Sequence, residues 1–293
     1  MLVKTLVFFI NALFLLPSTE AATVTCKAAE DEKWSYHGET NVFSAHNSPH
    51  LLGPSAWGES FPTCYGKEQS PISIDTSNAV VDTSSKQLHM KNYDVPITKA
   101  MIINNGHSAQ VTQIDGVART IEVQGSVFTF QQLHFHWGAR YDSGSEHVID
   151  DKRYALEAHF VHTNKDNTIA VVAVFFQASS QNNKGFQGIG DALPKIPFKG
   201  DTFDLQSGLT LRELLPDNPS GFYHYKGSLT TPPCKENVQW FILKGVNSIG
   251  EQQLTELRNL YSTTKDKEYA GCKLVDNFRP LQPLNSRSVF KTD

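Results

Sequence analysis

No CxxC pair, no run of basic residues, no internal repeat and no second long apolar segment occurs in these 293 residues. Each absence excludes something. Without CxxC, a cysteine-based metal site has no pattern behind it. Without a basic run, and with a formal net charge of −4, no phosphate-tracking surface for nucleic acid is expected. Without repeats or low-complexity linkers, residues 23–293 are expected to form one domain. Glycosylation sequons are lacking too, since Asn218 is followed by Pro219. The single apolar run, "TLVFFINALFLLP", follows Lys4 and precedes the small-residue stretch "STEAAT". It is too short to span a bilayer. It reads as a signal peptide over residues 1–22, cleaved near Ala21 or Ala22, so the expectation is a secreted protein without a membrane anchor. The polar C-terminal stretch "NSRSVFKTD" likewise offers no lipid-anchor tail. Four cysteines remain, Cys26, Cys64, Cys234 and Cys272, and their spacing leaves three disulfide connectivities open.

What is present is mostly strand. "MIINN", "SAQVTQI", "TIEVQ", "VFTFQQLHFHW", "YALEAHFVHT", "TIAVVAVFFQAS" and "VQWFILKG" are rich in β-branched and aromatic residues. The nearly continuous apolar run from Thr168 to Phe176 predicts a central strand covered on both faces. Residues 24–70, rich in Gly, Pro, Ser and aromatics, are expected to wrap over a core formed later in the chain. Helices are few. The clearest lies in "SIGEQQLTELRNLYS", where Ser248 and Glu251 suggest a capping box. The fold class expected is mainly β (α+β): a single domain with a large twisted, mostly antiparallel central sheet and short peripheral helices.

Within "QQLHFHWG", strand alternation puts His134 and His136 on one face and Leu133, Phe135 and Trp137 on the other. Gln132 shares the histidine face. "LEAHFVH" repeats the arrangement, with Glu157 two residues before His159. A metal-bound imidazole needs its second nitrogen held by an acceptor, and Gln132 and Glu157 stand where they can hold it. Three neutral histidines leave a Zn2+ ion its full charge and an open fourth position. The pattern alone also leaves other metal enzymes open; a cupin-type site uses HxH, but with a carboxylate closer than Glu146.

"INNGHS", "QQLHFHWG", "GSEH", "LEAHFVH", "GSLTTPPC" and "VDNFRPLQPLN" occur in the order found in α-class carbonic anhydrases, which the chain resembles from about Trp34 to Arg287. The closest likeness is to an extracellular animal form. The resemblance implies the α-carbonic anhydrase fold, one Zn2+ per chain on His134, His136 and His159, and reversible hydration of carbon dioxide to bicarbonate and a proton. The water activated by such zinc has a pKa of about 7, a value that belongs to carbonic anhydrase itself. Gln132 and Glu157 match the indirect ligands, and the Asn277 carbonyl would hold the remaining histidine. Thr230 and Glu146 match a hydroxyl–carboxylate pair that orients the nucleophile, with Thr231 beside them. An ionised Glu146 only accepts hydrogen bonds, so the Thr230 hydroxyl must donate to it. Val161, Val171, Leu229, Val238 and Trp240 match an apolar wall for carbon dioxide.

His107 falls on the proton-shuttle position, and Tyr36, Asn105 and Gln110 on positions that order a water chain; Gln110 departs from the more familiar asparagine. Cys64 and Cys234 match the pair joined in exported members, leaving Cys26 and Cys272 to pair with each other or between chains. His147 and His162 are expected to be structural, and His37, His46 and His50 carry no assigned role. Inhibition by sulfonamides and anions is expected, and the oligomeric state is not predicted. The alternative is a catalytically weak carbonic-anhydrase-related binding or extracellular matrix protein.

Overall fold

In a computed structural model, the residues described are 33–37, 52–84, 87–205, 208–217, 219, 221–265 and 272–292. The strands run β1 Ser73–Ile74, β2 Val80–Val81, β3 His89–Lys91, β4 Ala100–Asn104, β5 Ala109–Gln113, β6 Thr120–Val123 and β7 Ser126–Trp137. They continue with β8 Val148–Ile149, β9 Leu156–Thr163, β10 Ile169–Ser179, β11 Thr202–Leu205, β12 Phe222–Ser228, β13 Glu236–Gly250 and β14 Phe290–Lys291. Twelve of the described strands form one sheet, ordered β11-β4-β5-β7-β9-β10-β13-β12-β14-β2, with β6 and β3 branching from β7. Most pairings are antiparallel, as expected, but the long central β10–β13 pair is parallel. Among the described residues, three short α-helices, α1 Trp57–Ser60, α2 Gln187–Ala192 and α3 Glu251–Arg258, and three single 3-10 turns lie outside the sheet. None of the described helices is long and apolar enough to cross a membrane.

The strand period of two sorts β7, β9 and β10 into two faces. On one, Leu133, Phe135, Trp137, Phe160, Val172, Val174 and Phe176 join the larger apolar cluster under α2 and α3. On the other, Val171, Ala173 and Phe175 join Val238, Trp240 and Ile242 in a second cluster. The run from Thr168 to Phe176 is therefore covered on both sides, as its composition predicts. Burying side chains such as Phe135 and Phe160 contributes about 1.5–3 kcal/mol each, which makes the floor beneath the histidines rigid.

The N-terminal wrap is seen in part. Trp34, Tyr36, Leu52 and Phe61 pack around Trp57 and the Cys64–Cys234 disulfide. His46 and His50 lie outside the described residues.

Two expectations are corrected. The capping box does not form at Ser248, because Ser248 is paired with Gln177 inside the β10–β13 ladder. Helix α3 starts later, at Glu251, where Gln253 Oε1 accepts the Gly250 N–H at 3.1 Å. Strand β12, "FYHYKGS", is absent from the runs expected to be strands; its half-buried pattern and Gly227 blur the alternation.

Cys64 and Cys234 are joined across 170 residues, Cα to Cα 4.9 Å. Cys272 is also disulfide-bonded, whereas Cys26 lies outside the described residues. Closing a loop as long as that between Cys64 and Cys234 limits the unfolded chain by up to about 5 kcal/mol on the chain-entropy model. A Cys64→Ser variant is expected to lose about 2–5 kcal/mol. Guanidinium unfolding of the variant checks this; a midpoint equal to the parent's contradicts it.

Candidate metal centre

In the antiparallel β7–β9 pair, His134 stands directly opposite His159 and His136 opposite Glu157. The three imidazoles therefore leave the sheet from one patch of one face. One ring nitrogen from each of His134, His136 and His159 lies within 4.8 Å of the others. Each ring is fixed by its second nitrogen. His134 Nδ1 bonds Gln132 Oε1 at 2.8 Å, and His136 Nδ1 donates to the Asn277 carbonyl at 2.7 Å. His159 Nε2 bonds Glu157 Oε1 at 2.7 Å. The nitrogens left over are Nε2 of His134, Nε2 of His136 and Nδ1 of His159, the last two 3.0 Å apart.

The electrostatics match the chemistry a cation needs. Burial, then the neighbouring His136 and His159, holds the His134 pKa well below its ordinary value. Burial also lowers that of His136, against the opposing pull of Glu146. Both rings are thus neutral and keep a lone pair for a ligand. Glu157 behaves oppositely. Burial pushes its carboxyl up, but His147 and His159 together hold it well below the carboxylate range. A second group, His147, Glu157 and His159, is also close enough for an ion. Its polar atoms are already used: Glu157 accepts from the His147 N–H at 2.8 Å and bonds His147 Nδ1 at 2.7 Å. His147 Nε2 bonds the Tyr225 hydroxyl at 2.7 Å, so this histidine supports the cluster from behind.

Glu146 is wholly buried. Its Oε1 accepts the Arg279 backbone N–H at 2.8 Å, while Oε2 has no hydrogen-bond partner. That orphaned oxygen lies 3.5 Å from His136 Nε2 and 3.9 Å from His159 Nδ1. A buried carboxyl oxygen without a partner is costly, and at the histidine cluster it marks a place for polar or cationic groups. Three imidazoles with one nitrogen each held and one converging, beside that oxygen, fit zinc.

Of the other expected residues, Trp240 sets its ring 4.8 Å from that of His159. Thr230 is buried and Thr231 half-buried just beyond β12, but no hydrogen bond joins Thr230 to Glu146. Val171, Val238 and Trp240 are buried in the second cluster, with Val161 and Leu229 packed against it as half-exposed side chains. Gln110 stands opposite His134 in the β5–β7 register and donates to Thr112 at 3.3 Å. Asn105 Oδ1 is occupied by the backbone N–H groups of His107 and Ser108. Tyr36 sets its ring 6.5 Å from that of His136, and burial together with Glu146 raises its pKa well above normal. The His107 ring stacks on Trp34, centroids 3.9 Å apart. His162 lies away from the cluster, bonded to the Tyr93 hydroxyl at 2.6 Å, with burial pushing its pKa down to about 4.

The sequence pointed to the Asn277 carbonyl but not to its side chain, nor to Arg279. Asn277 uses its side chain as well as its carbonyl: Oδ1 accepts the Trp137 N–H at 2.7 Å, and Nδ2 donates to the carbonyls of His107 and Phe135. Arg279, buried, reaches Gln69 Oε1, the Ser70 carbonyl and the Cys64 carbonyl, linking the disulfide to the Glu146 carboxylate. Both stand in "VDNFRPLQPLN", where an arginine between apolar and proline residues was the available signal.

Three converging imidazoles on a twisted sheet, backed by buried carboxyl groups, define a candidate mononuclear metal centre. The family model for eukaryotic-type carbonic anhydrases matches residues 52–293. Carbonic anhydrase 6 of Mus musculus is 35% identical over 271 residues, covering 87% of this chain and 80% of that protein. Carbonic anhydrase 7 of Mus musculus is 38% identical over 252 residues, covering 81% and 93%. Carbonic anhydrase 4 of Oryctolagus cuniculus is 33% identical over 278 residues, covering 90% and 86%. The chain belongs to the eukaryotic-type carbonic anhydrase family. Its activity is that of a carbonic anhydrase, the hydration of carbon dioxide.

Proposed function

We propose that this chain is a secreted, single-zinc carbonic anhydrase in which residues 23–293 form the catalytic domain and residues 1–22 a removable signal peptide. The observation that carries the zinc assignment is the pairing of roles on each imidazole, one nitrogen fixed by Gln132, Glu157 or Asn277 and the other aimed at a common point. Bound there, zinc lowers the pKa of a water molecule to about 7 and supplies a nucleophile at neutral pH. The protein's own residues do the rest. Val161, Val171, Leu229, Val238 and Trp240 offer an apolar wall to an apolar substrate. Glu146 presents Oε2 as an acceptor, and the resemblance assigns the Thr230 hydroxyl as its donor, a bond not formed in the structure. Thr231 extends that polar edge. Sulfonamides and small anions are expected to compete for the same position. The disulfides favour an oxidising compartment, in keeping with export. Zinc content and carbon dioxide hydration, measured with and without chelator, test the assignment. Full activity in a protein stripped of metal would overturn it.

His107 is the proton carrier in this reading. Imidazole, with its unperturbed pKa near 6.5, is the side-chain group suited to accepting and releasing a proton at neutral pH. Its ring stacks on Trp34 and its carbonyl accepts from Asn277; Tyr36 sets its ring 6.4 Å from that of His107 and 6.5 Å from that of His136, and Asn105 and Gln110 are assigned to the same water path by the resemblance. His107→Ala is expected to slow turnover by about tenfold to a hundredfold in dilute buffer, with recovery on adding imidazole. Stopped-flow rates at two buffer concentrations decide it: equal loss at both means that His107 does not carry the proton.

A further inference from the structure

Glu146 and Asn277 come from segments 131 residues apart in the chain, and both must hold position for the cluster to work. Arg153 touches both segments. Its Nη1 donates to the Ser145 carbonyl, immediately before Glu146. Its guanidinium carbon lies 5.0 Å from the centre of the Phe278 ring, between Asn277 and Arg279. On one side of this clamp the Arg279 N–H reaches Glu146 Oε1, and on the other the Asn277 carbonyl holds His136. Ser145 is itself tied to Tyr154, the residue after Arg153, by hydrogen bonds between Ser145 N–H and the Tyr154 carbonyl and between Tyr154 N–H and Ser145 Oγ. The clamp is therefore local on one side and reaches across the fold on the other.

We propose that Arg153 is a positioning residue of the metal centre, stapling the Ser145–Glu146 loop to the Asn277–Arg279 segment through one hydrogen bond and one cation–π contact. The chemistry suits arginine: a planar guanidinium donates in its plane and stacks through its face, which a lysine does only in part. The side chain is half-buried, and its positive charge is felt by both Glu157 and Glu146. This inference rests on the zinc reading for its effect on metal binding, though not for its effect on the loop.

The test uses the whole enzyme and two readouts. In chelator competition, Arg153→Met is expected to raise the apparent zinc dissociation constant about tenfold, the lower end of what loss of an outer support costs. Arg153→Lys, which keeps the charge and one donor, is expected to recover most of that loss. In the metal-free protein, exchange protection of the Arg279 amide, which bonds Glu146, is expected to fall in Arg153→Met. Unchanged protection of that amide overturns the proposal whatever the zinc result. Unchanged zinc affinity in Arg153→Met, or an equal loss in Arg153→Lys, also overturns it. A parent enzyme that takes up no zinc would defeat the zinc assignment while leaving the amide readout to judge Arg153. If Arg153→Met does not fold, Arg153→Gln is measured by the same criteria.

Discussion

Replacing His159 by alanine is expected to abolish carbon dioxide hydration and to strip the protein of zinc. His159 is the hinge of the cluster. Its Nδ1 lies 3.0 Å from His136 Nε2, and its Nε2 bonds the Glu157 carboxylate at 2.7 Å. Removing the ring deletes one of three converging nitrogens and takes one of the hydrogen-bond partners of Glu157 in a wholly buried place. The affinity loss should exceed the 100-fold or so that removal of an outer hydrogen-bond partner costs, because a direct ligand goes as well. Stability should also move. Removing one partner of a buried hydrogen bond to a carboxylate typically costs about 1–3 kcal/mol. His147 still bonds Glu157 through two contacts, which offsets part of that cost. Metal analysis and stopped-flow hydration check the first claim, and thermal unfolding of the metal-free proteins checks the second. A variant that keeps one zinc per chain would remove His159 from the ligand set.

The residues of this cluster were legible in the sequence because their spacing is local. His134 and His136 share a strand face by alternation, and Gln132 and Glu157 announce themselves two residues before a histidine. What alternation does not carry is register. Nothing in "QQLHFHWG" or "LEAHFVH" says that His134 faces His159 across the ladder; a shift of one residue would turn one strand's histidines into the opposite core. Contacts between distant segments were no more legible. The Asn277 carbonyl that fixes His136 is 141 residues away, and only the family resemblance pointed to it. Resemblance likewise chose the Cys64–Cys234 pair, which cysteine spacing leaves open. The misread cap at Ser248 has another cause. A capping box is a local preference, and the pairing of Ser248 with Gln177 in the central ladder overrides it.

Changing Glu146 to glutamine is expected to lower turnover by about 100- to 1,000-fold while leaving zinc bound. A carboxylate offers only acceptor oxygens, so any hydroxyl that meets Glu146 Oε2 must donate. An amide has the same shape but can present N–H, so the Thr230 hydroxyl proposed as the donor to Glu146 could accept instead, and its direction would no longer be enforced. In the structure Oε2 is buried and unpartnered, and Oε1 is fixed by the Arg279 N–H, which prevents the two oxygens from exchanging roles. The glutamine carbonyl will therefore keep the Arg279 contact and turn its amide nitrogen toward the cluster. There it meets His136 Nε2, which the parent oxygen faces at 3.5 Å. Because none of the three imidazoles loses its fixing partner, zinc affinity should fall far less than in His159→Ala. Thr230→Ala should then cost little further in the Glu146→Gln background, since the hydroxyl has already lost its enforced direction. A double-mutant cycle on hydration rates, with zinc content measured for all four proteins, decides the matter: fully additive losses would mean that Glu146 and Thr230 act separately.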